Sequence, residues 1–419
     1  MKTLLRSIIT LLVFAACFSP ARADAVKAGD TLPPWSEGCL DIHHINTGRG
    51  ESSFIIMPDG TTLLVDAGVS NAKKPYIIGT LPDETREPGE WIARYIKRAG
   101  AGTPSRALNY MLVTHFHSDH LGDPSKNSKI TEPGGYKLAG VTEVAEHVAI
   151  EKIIDRGWPE YDFPAPQKGA PGAMVANYRK FLDWQIANKG VKVERFNAGV
   201  TDQLAPRHNP SKYPNFEIRN LAVNGVVWTG VGTNTRNHFP DPKDVAKGAI
   251  IENNCSAAFR LSYGAFDYFS GGDLSVLDLE TASTAEQWID IERPVALVTG
   301  PVDVMKANHH AYRDSNSPFF LGVLRPRVVV IPIWNVAQPS INTYRRMQSK
   351  KTWPGARDLF LLSQPEAAQL ATRLDKKGPP PGHVVIRVKP GGAEYSVYVI
   401  EETNESGRVK SVHGPYKSR

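Results

Sequence analysis

The chain has 419 residues, with 49 Lys and Arg against 43 Asp and Glu for a net charge of +6, and it is 41% hydrophobic. These values describe a globular protein with enough apolar content for a large core and exclude a low-complexity or collagen-like chain. A charge this small does not call for a nucleic-acid or membrane surface, although it leaves nucleic acid open as a partner.

Residues 1–23 read as an export signal: Lys2 and Arg6 precede the apolar run 8–18, and Ala21-Arg22-Ala23 supplies the small residues of a cleavage site. Cleavage would start the mature chain near Asp24, removing three basic residues (Lys2, Arg6, Arg22) and no acidic one, so the net charge falls from +6 to +3. The expected location is periplasmic or secreted. Phe14-Ala-Ala-Cys17 is a poor lipidation box, which makes anchoring through Cys17 the minor alternative. No later stretch approaches the roughly 20 apolar residues that span a bilayer. Cys39 and Cys255 remain, as a disulfide pair or as two separate buried thiols. No repeat or linker divides the mature chain, so 24–405 reads as one enlarged domain with Gly/Pro-rich insertions near 70–90, 122–141, 157–173 and 205–215. The basic, Gly/Ser-rich stretch 406–419 reads as a mobile tail.

In chain order, residues 40–45, 53–57 and 61–65 alternate or run apolar around the turn pair Asp59-Gly60, the pattern of antiparallel strands. His43 and His44 fall within the first of them, one on each face, and read as structural. The third ends at Asp66-Ala67-Gly68. Residues 90–99 place Trp91, Ile92, Tyr95 and Ile96 on one face of a helix that follows Pro88. The strand 108–113 follows, then the loop THFHSDHLGD from Thr114 to Asp123. A second helix over 178–188 buries Tyr178, Phe181, Leu182 and Gln185. Residues 256–261 and 266–270 form a hairpin that delivers Gly271-Gly272-Asp273. A helix over 284–291 and a strand over 302–307 lead to Asn308-His309-His310. Helix and strand then alternate over 319–324, 327–333, 341–349, 358–362 and 367–374, before a hairpin of 383–388 with 394–400. His383 at its start and His413 in the tail have no claim on a site. The expected fold class is α/β, a two-sheet sandwich with helices outside.

Three histidines and an aspartate within six residues, on a loop leaving an apolar strand, point to metal. Imidazole and carboxylate ligands suit zinc or iron, and a strand running into a tight turn lets His115, His117, Asp119 and His120 converge as a helix would not. One ion cannot easily use all four. The natural reading is two neighbouring ions, His115 and His117 on one and Asp119 and His120 on the other, sharing a bridging hydroxide.

HFHSDH resembles the H-x-H-x-D-H signature of the metallo-β-lactamase-fold hydrolases, and Leu121-Gly122-Asp123 extends the likeness. Ser270-Gly-Gly-Asp273 and Asn308-His-His310 follow in the order of that family's later ligand motifs. In detail the chain looks most similar to the hydrolase domain of the DNA-uptake protein ComEC and its secreted relatives, over roughly residues 40 to 400. The resemblance implies the αββα arrangement of two mixed sheets packed face to face. It implies one or two zinc ions, with manganese or iron as alternatives, on His115, His117, Asp119, His120, Asp273 and His309. Asp273 would bridge the ions and Asp66 would orient ligands from behind. Asp119 and His310 would serve catalysis, with the reverse assignment of His309 and His310 left open. The chain departs from the broad pattern in lacking an evident histidine before Asp273. His147 sits within the helical pattern 143–148 and reads as packing, and His208 and His238 lie in loops with no strand delivering them.

The implied activity is that of an exported hydrolase using a metal-activated hydroxide. The ComEC likeness favours phosphate esters or nucleic acid, whereas the generic motif alone would equally suit a lactone, a β-lactam or another small molecule. A non-catalytic, metal-stabilised binding module is the alternative from another class. Structural zinc sites usually contain cysteine and close on four ligands, and this motif holds no thiolate.

Overall fold

The computed structural model describes residues 26–72, 76–276, 287–366, 369–370 and 378–419. The expected export signal, Cys17, residues 284–286 of one expected helix and most of the 367–374 helix lie outside them. In chain order the strands are β1 Leu40–His44, β2 Ser53–Ile56, β3 Thr62–Val65, β4 Tyr110–Val113, β5 Lys152–Asp155, β6 Lys192–Arg195, β7 Phe216–Val223, β8 Val226–Trp228, β9 Thr235–Asn237, β10 Ala258–Tyr263, β11 Phe266–Ser270, β12 Val304–Lys306, β13 Val328–Ile331, β14 Asp358–Leu361, β15 His383–Val388, β16 Glu394–Ile400 and β17 Val409–Lys417. The first sheet runs β17-β16-β15-β1-β2-β3-β4-β5-β6 and the second β14-β13-β12-β11-β10-β7-β8-β9. Both are mixed: β3 to β6 and β11 to β14 pair in parallel, and the remaining pairs are antiparallel.

Alternation along the strands builds three apolar layers. Tyr110 and Leu112 of β4 point into the space between the sheets, where they join Leu40, Ile42, Phe259, Tyr268, Val304 and Ile386. Met111 and Val113 of the same strand face outward and are covered by Ile92 and Ile96 of α1 (Pro88–Ala99), Val144 of a helix at Val141–His147, and Phe181 and Leu182 of a helix at Gly169–Lys189. The second sheet's outer face is covered likewise by helices Glu292–Thr299, Pro318–Leu324 and Ile341–Gln348, which contribute Val295, Phe320 and Met347. The expected two-sheet sandwich with helices outside is therefore what the chain forms. Among the described residues no helix is long and apolar enough to cross a membrane.

Several local expectations need correction. Of the helix expected at 284–291, residues 284–286 lie outside the described residues and Gln287–Ile289 form a 3-10 turn; an α-helix follows at Glu292–Thr299, where Pro294 suits the first turn and Gly300 ends it at φ 68°. Cys39 and Cys255 are both free; they pack against the outer layers of opposite sheets, so no bridge can join them. His147 is exposed at its helix end and is not core. His43 and His44 are structural as expected, bonding Tyr95 Oη and Ser53 Oγ at 3.0 Å each.

The stretch expected to be a mobile tail is a strand. β17 pairs antiparallel with β16, and Tyr416 Oη donates to Asp358 Oδ2 of β14 at 2.5 Å, with the Arg327 guanidinium 4.7 Å from the Tyr416 ring centroid. The C-terminus therefore fastens the first sheet to the second. Deleting residues 406–419 should lower the thermal midpoint by an amount corresponding to several kcal/mol, since a whole edge strand and the Tyr395–Tyr416 packing are lost. Differential scanning calorimetry checks this, and a midpoint within error of the full chain would show the strand to be dispensable.

Candidate metal centre

The ligand-type side chains collect where β3, β4, β11 and β12 end, the edge at which parallel strands present chemistry. Asp66, at φ 59° immediately after β3, is fully buried. Its Oδ1 accepts from Thr114 N at 2.7 Å; its Oδ2 accepts from Thr114 Oγ1 and lies by His120 Nδ1, both at 2.7 Å. These bonds hold the exit of β4 and turn the His120 ring so that Nε2 faces the centre. The chain then makes one helical turn, Ser118–Leu121, that separates His115 and His117 from Asp119 and His120. Gly68 is required here, since a Cβ on it would lie 1.6 Å from the Asp119 carbonyl oxygen. Gly272, at φ 53°, performs the same service beneath Asp273, where a Cβ would press on Ser256 and Thr114 at about 3 Å.

Two groups of donor atoms result, and they share Asp273. His115, His117 and Asp273 form one, and Glu51, His120, Asp273 and His310 the other. His115 Nε2 lies 3.2 Å from His117 Nδ1 and 3.9 Å from Asp273 Oδ2. In the second group, Asp273 Oδ1 is 3.2 Å from His120 Nε2, and Asp273 Oδ2 is 3.5 Å from His310 Nε2. Asp119 Oδ2 stands beside it, 3.0 Å from His310 Nε2 and 3.8 Å from His120 Nε2. The residue types and their convergence fit divalent metal ions, and one observation is specific: buried His120 Nε2 and Asp273 Oδ1 face each other at 3.2 Å without a well-formed hydrogen bond to one another or to any other described residue. Orphaned buried polar atoms are costly unless something serves them.

The electrostatics agree. Burial works against ionisation of Asp273, but His120, His310 and His309 outweigh it and hold its carboxyl well below the usual range. Burial likewise opposes a charge on His310, yet Asp273 and Asp119 raise it to about 9. His120 is raised well above its ordinary value against the same burial, by Asp273, Asp66 and Asp119. His115, by contrast, is pushed well down by burial and by the neighbouring His120. Ion binding at His120 and His310 would compete with protons and should weaken as the pH falls.

Of the two histidines whose assignment was open, the backbone turns His310 toward the donor atoms and leaves His309 at their edge. His310 is fully buried, with Nδ1 2.9 Å from the Pro332 carbonyl, so that Nε2 points among the ligands. His309 Nδ1 is instead bound by Asp314 Oδ1 at 2.7 Å; its Nε2 lies 3.9 Å from Asp273 and its side chain is 20% exposed. The reason is backbone: His309, His310 and Ala311 occupy the left-handed region in succession, at φ 44°, 51° and 58°. Such strain costs on the order of 1–3 kcal/mol per residue and persists only where the surroundings enforce it. Here they do. Glu292, buried and pushed up to about 7 by that burial, accepts from Asn308 Nδ2, Asn316 N and Ser317 N, and Asn316 Nδ2 donates back to the Asn308 carbonyl. Dialysed His310→Ala should accordingly retain less metal than dialysed His309→Ala, with excess zinc restoring His310→Ala in part by mass action. Metal analysis by inductively coupled plasma measures both; equal, full retention would remove this loop from the centre.

Asp119, His115, His117, His120 and Asp273 are thus brought together as expected, with Asp66 behind them. No further histidine joins the His115 group: His147, His208 and His238 are placed elsewhere among the described residues. Asn253 Nδ2 lies 3.3 Å from His309 Nε2. Glu51, Lys306, Glu292 and Asp314 escaped the sequence reading. Lys306 alone carried a signal, a charge inside an otherwise apolar strand, whereas Glu51 in Gly48-Arg-Gly-Glu looks like any solvated turn.

No family model matches the sequence, and no curated protein matches it. Among solved structures, the crystal structure of hydrolase AbOPH in the beta lactamase superfamily matches with a TM-score of 0.29 and 11% identity, covering 65% of this chain and 84% of that one.

Proposed function

We propose that this chain is an exported metal-dependent hydrolase acting on phosphate esters or nucleic acid. The observation that carries the metal-dependent part is the sharing of Asp273 by two donor groups, with buried His120 Nε2 and Asp273 Oδ1 facing each other but in no well-formed hydrogen bond. Divalent ions bound there, zinc first and manganese or iron as alternatives, would supply a water of lowered pKa and Lewis acidity toward the oxyanion. In this reading His115, His117 and Asp273 would hold one ion, and Asp119, His120, Asp273 and His310 the other, with Glu51 of that donor group engaged by Lys306. Asp66 fixes the His120 ring by its contact with Nδ1. His309, oriented by Asp314 and partly exposed, keeps its Nε2 3.9 Å from Asp273 at the edge of the centre, where it could hydrogen-bond a leaving group. The phosphate-ester preference is supported by the likeness of the three motifs to the ComEC-type domain, and export by the leader-like residues 1–23.

Purified mature protein loaded with zinc or manganese should hydrolyse bis(p-nitrophenyl) phosphate, and Asp119→Ala should not. A panel that adds a lactone, a cephalosporin and single- and double-stranded DNA tests the substrate class. Turnover of the cephalosporin alone would overturn the phosphate-ester preference. A single chelator-resistant ion with no turnover of anything would replace the enzyme by the binding module.

A further inference from the structure

Glu51, a member of the second donor group, is itself held in a buried ion pair with Lys306. Lys306, the last residue of β12, is 0% exposed and Glu51 is 2% exposed; Lys306 Nζ stands 2.9 Å from Glu51 Oε1 and 3.0 Å from Oε2. Desolvating two charges commonly offsets what their attraction returns, and apolar residues of the same volume would hold a core at least as well. Stability alone is therefore a weak reason for this pair, and its contacts indicate another.

Each member reaches a different part of the metal centre. Lys306 Nζ donates to the Gly272 carbonyl at 2.7 Å, fixing the turn immediately before Asp273. Glu51 Oε2 lies 3.5 Å from His310 Nδ1, beside the Pro332 carbonyl that receives that N–H, so it steadies the ring whose Nε2 faces the ligands. The Glu51 backbone completes the tie: its N–H donates to the Asp119 carbonyl at 2.8 Å and its carbonyl accepts from Gly68 N at 2.9 Å. Thus one residue from the β1–β2 loop and one from β12 connect the segments carrying Asp119, Asp273 and His310. The charges also have to cancel. An ammonium alone at this place would repel a cation, and a carboxylate alone would be free to swing in as a ligand and alter the coordination.

We propose that the Glu51–Lys306 ion pair is a positioning device for the second metal position, holding Asp273 and His310 in register while adding no net charge beside the ion. This rests on the two-ion reading of the centre. The test is titration of the metal-stripped full chain with zinc alone by isothermal calorimetry, repeated with cobalt(II) and followed by visible absorption, for wild type, Glu51→Asp, Glu51→Gln, Lys306→Met and Glu51→Gln/Lys306→Met. Each variant is expected to bind its first ion as wild type does and its second about 10–100-fold more weakly, the range for losing a group that orients a ligand. Glu51→Gln should be affected most, because it leaves the ammonium unpaired, and adding Lys306→Met should recover part of the loss. That recovery, and the sparing of the first ion, would not follow from a merely structural role. Glu51→Asp and the double variant leave no isolated charge, so they decide the matter if the other two do not fold. Wild-type affinity for the second ion in the folded variants overturns the proposal. A wild type that takes up no second ion overturns instead the reading on which it rests.

Discussion

On the proposed two-ion reading, Asp273→Asn is expected to lower turnover by roughly 10³-fold or more, since it removes the negative charge that would position and offset the ions, and to reduce zinc content by about one ion per chain. The expectation follows from position: a single carboxylate stands 3.2 Å from His120 Nε2, 3.5 Å from His310 Nε2 and 3.9 Å from both His115 Nε2 and His309 Nε2. Asparagine keeps the shape but directs an NH₂ at lone pairs that must face a metal, and its neutral oxygen offsets no charge. The fold should persist, because the turn is held by backbone: Gly272 takes its positive φ, Lys306 caps the Gly272 carbonyl, and Asp273 N donates to Ser256 Oγ at 3.1 Å. Metal analysis, a diesterase assay and circular dichroism on one preparation check the three parts together. Near-wild-type turnover would mean that Asp273 does not join the two donor groups.

Asp66→Ala should be the most damaging single change to stability near the centre, at about 3–5 kcal/mol, the cost of removing one partner from a buried charged pair. Three donors lose their acceptor at once: Thr114 N, Thr114 Oγ1 and His120 Nδ1. Alanine is also less at ease than aspartate at φ 59°. Asp66→Asn tolerates that backbone and still offers one oxygen, so it should fall between wild type and alanine. Urea denaturation of metal-stripped protein separates this effect from loss of metal. A midpoint for Asp66→Ala equal to that of wild type would show that Asp66 is not what fixes the exit of β4.

His120 illustrates why such effects are hard to anticipate from sequence. On the pattern alone, the side chains of the THFHSDHLGD loop face the metals and are separate from the core. In the fold His120 is fully buried and braced by Asp66, so ligand and scaffold are the same residue there. A His120→Ala variant would lose stability as well as metal.

What the sequence by itself determined is whatever depends on near neighbours. The alternating or continuous apolar stretches at 40–45, 53–57, 61–65 and 108–113 predicted strands, and the six residues from His115 to His120 converge because one strand exit and one helical turn are enough to bring them together. Asp66 and Asp273 were legible for the same reason, each standing immediately beyond an apolar strand. Tertiary structure decided what depends on distant partners. Whether His309 or His310 turns inward was set by three consecutive left-handed residues that Glu292 and Asn316 enforce, and no spacing announces that. The strand at 409–417 forms because β16 and Asp358 await it, although its own composition reads as a solvated tail. Glu51 and Lys306 are 255 positions apart, and only the packing of one sheet on the other makes them a pair.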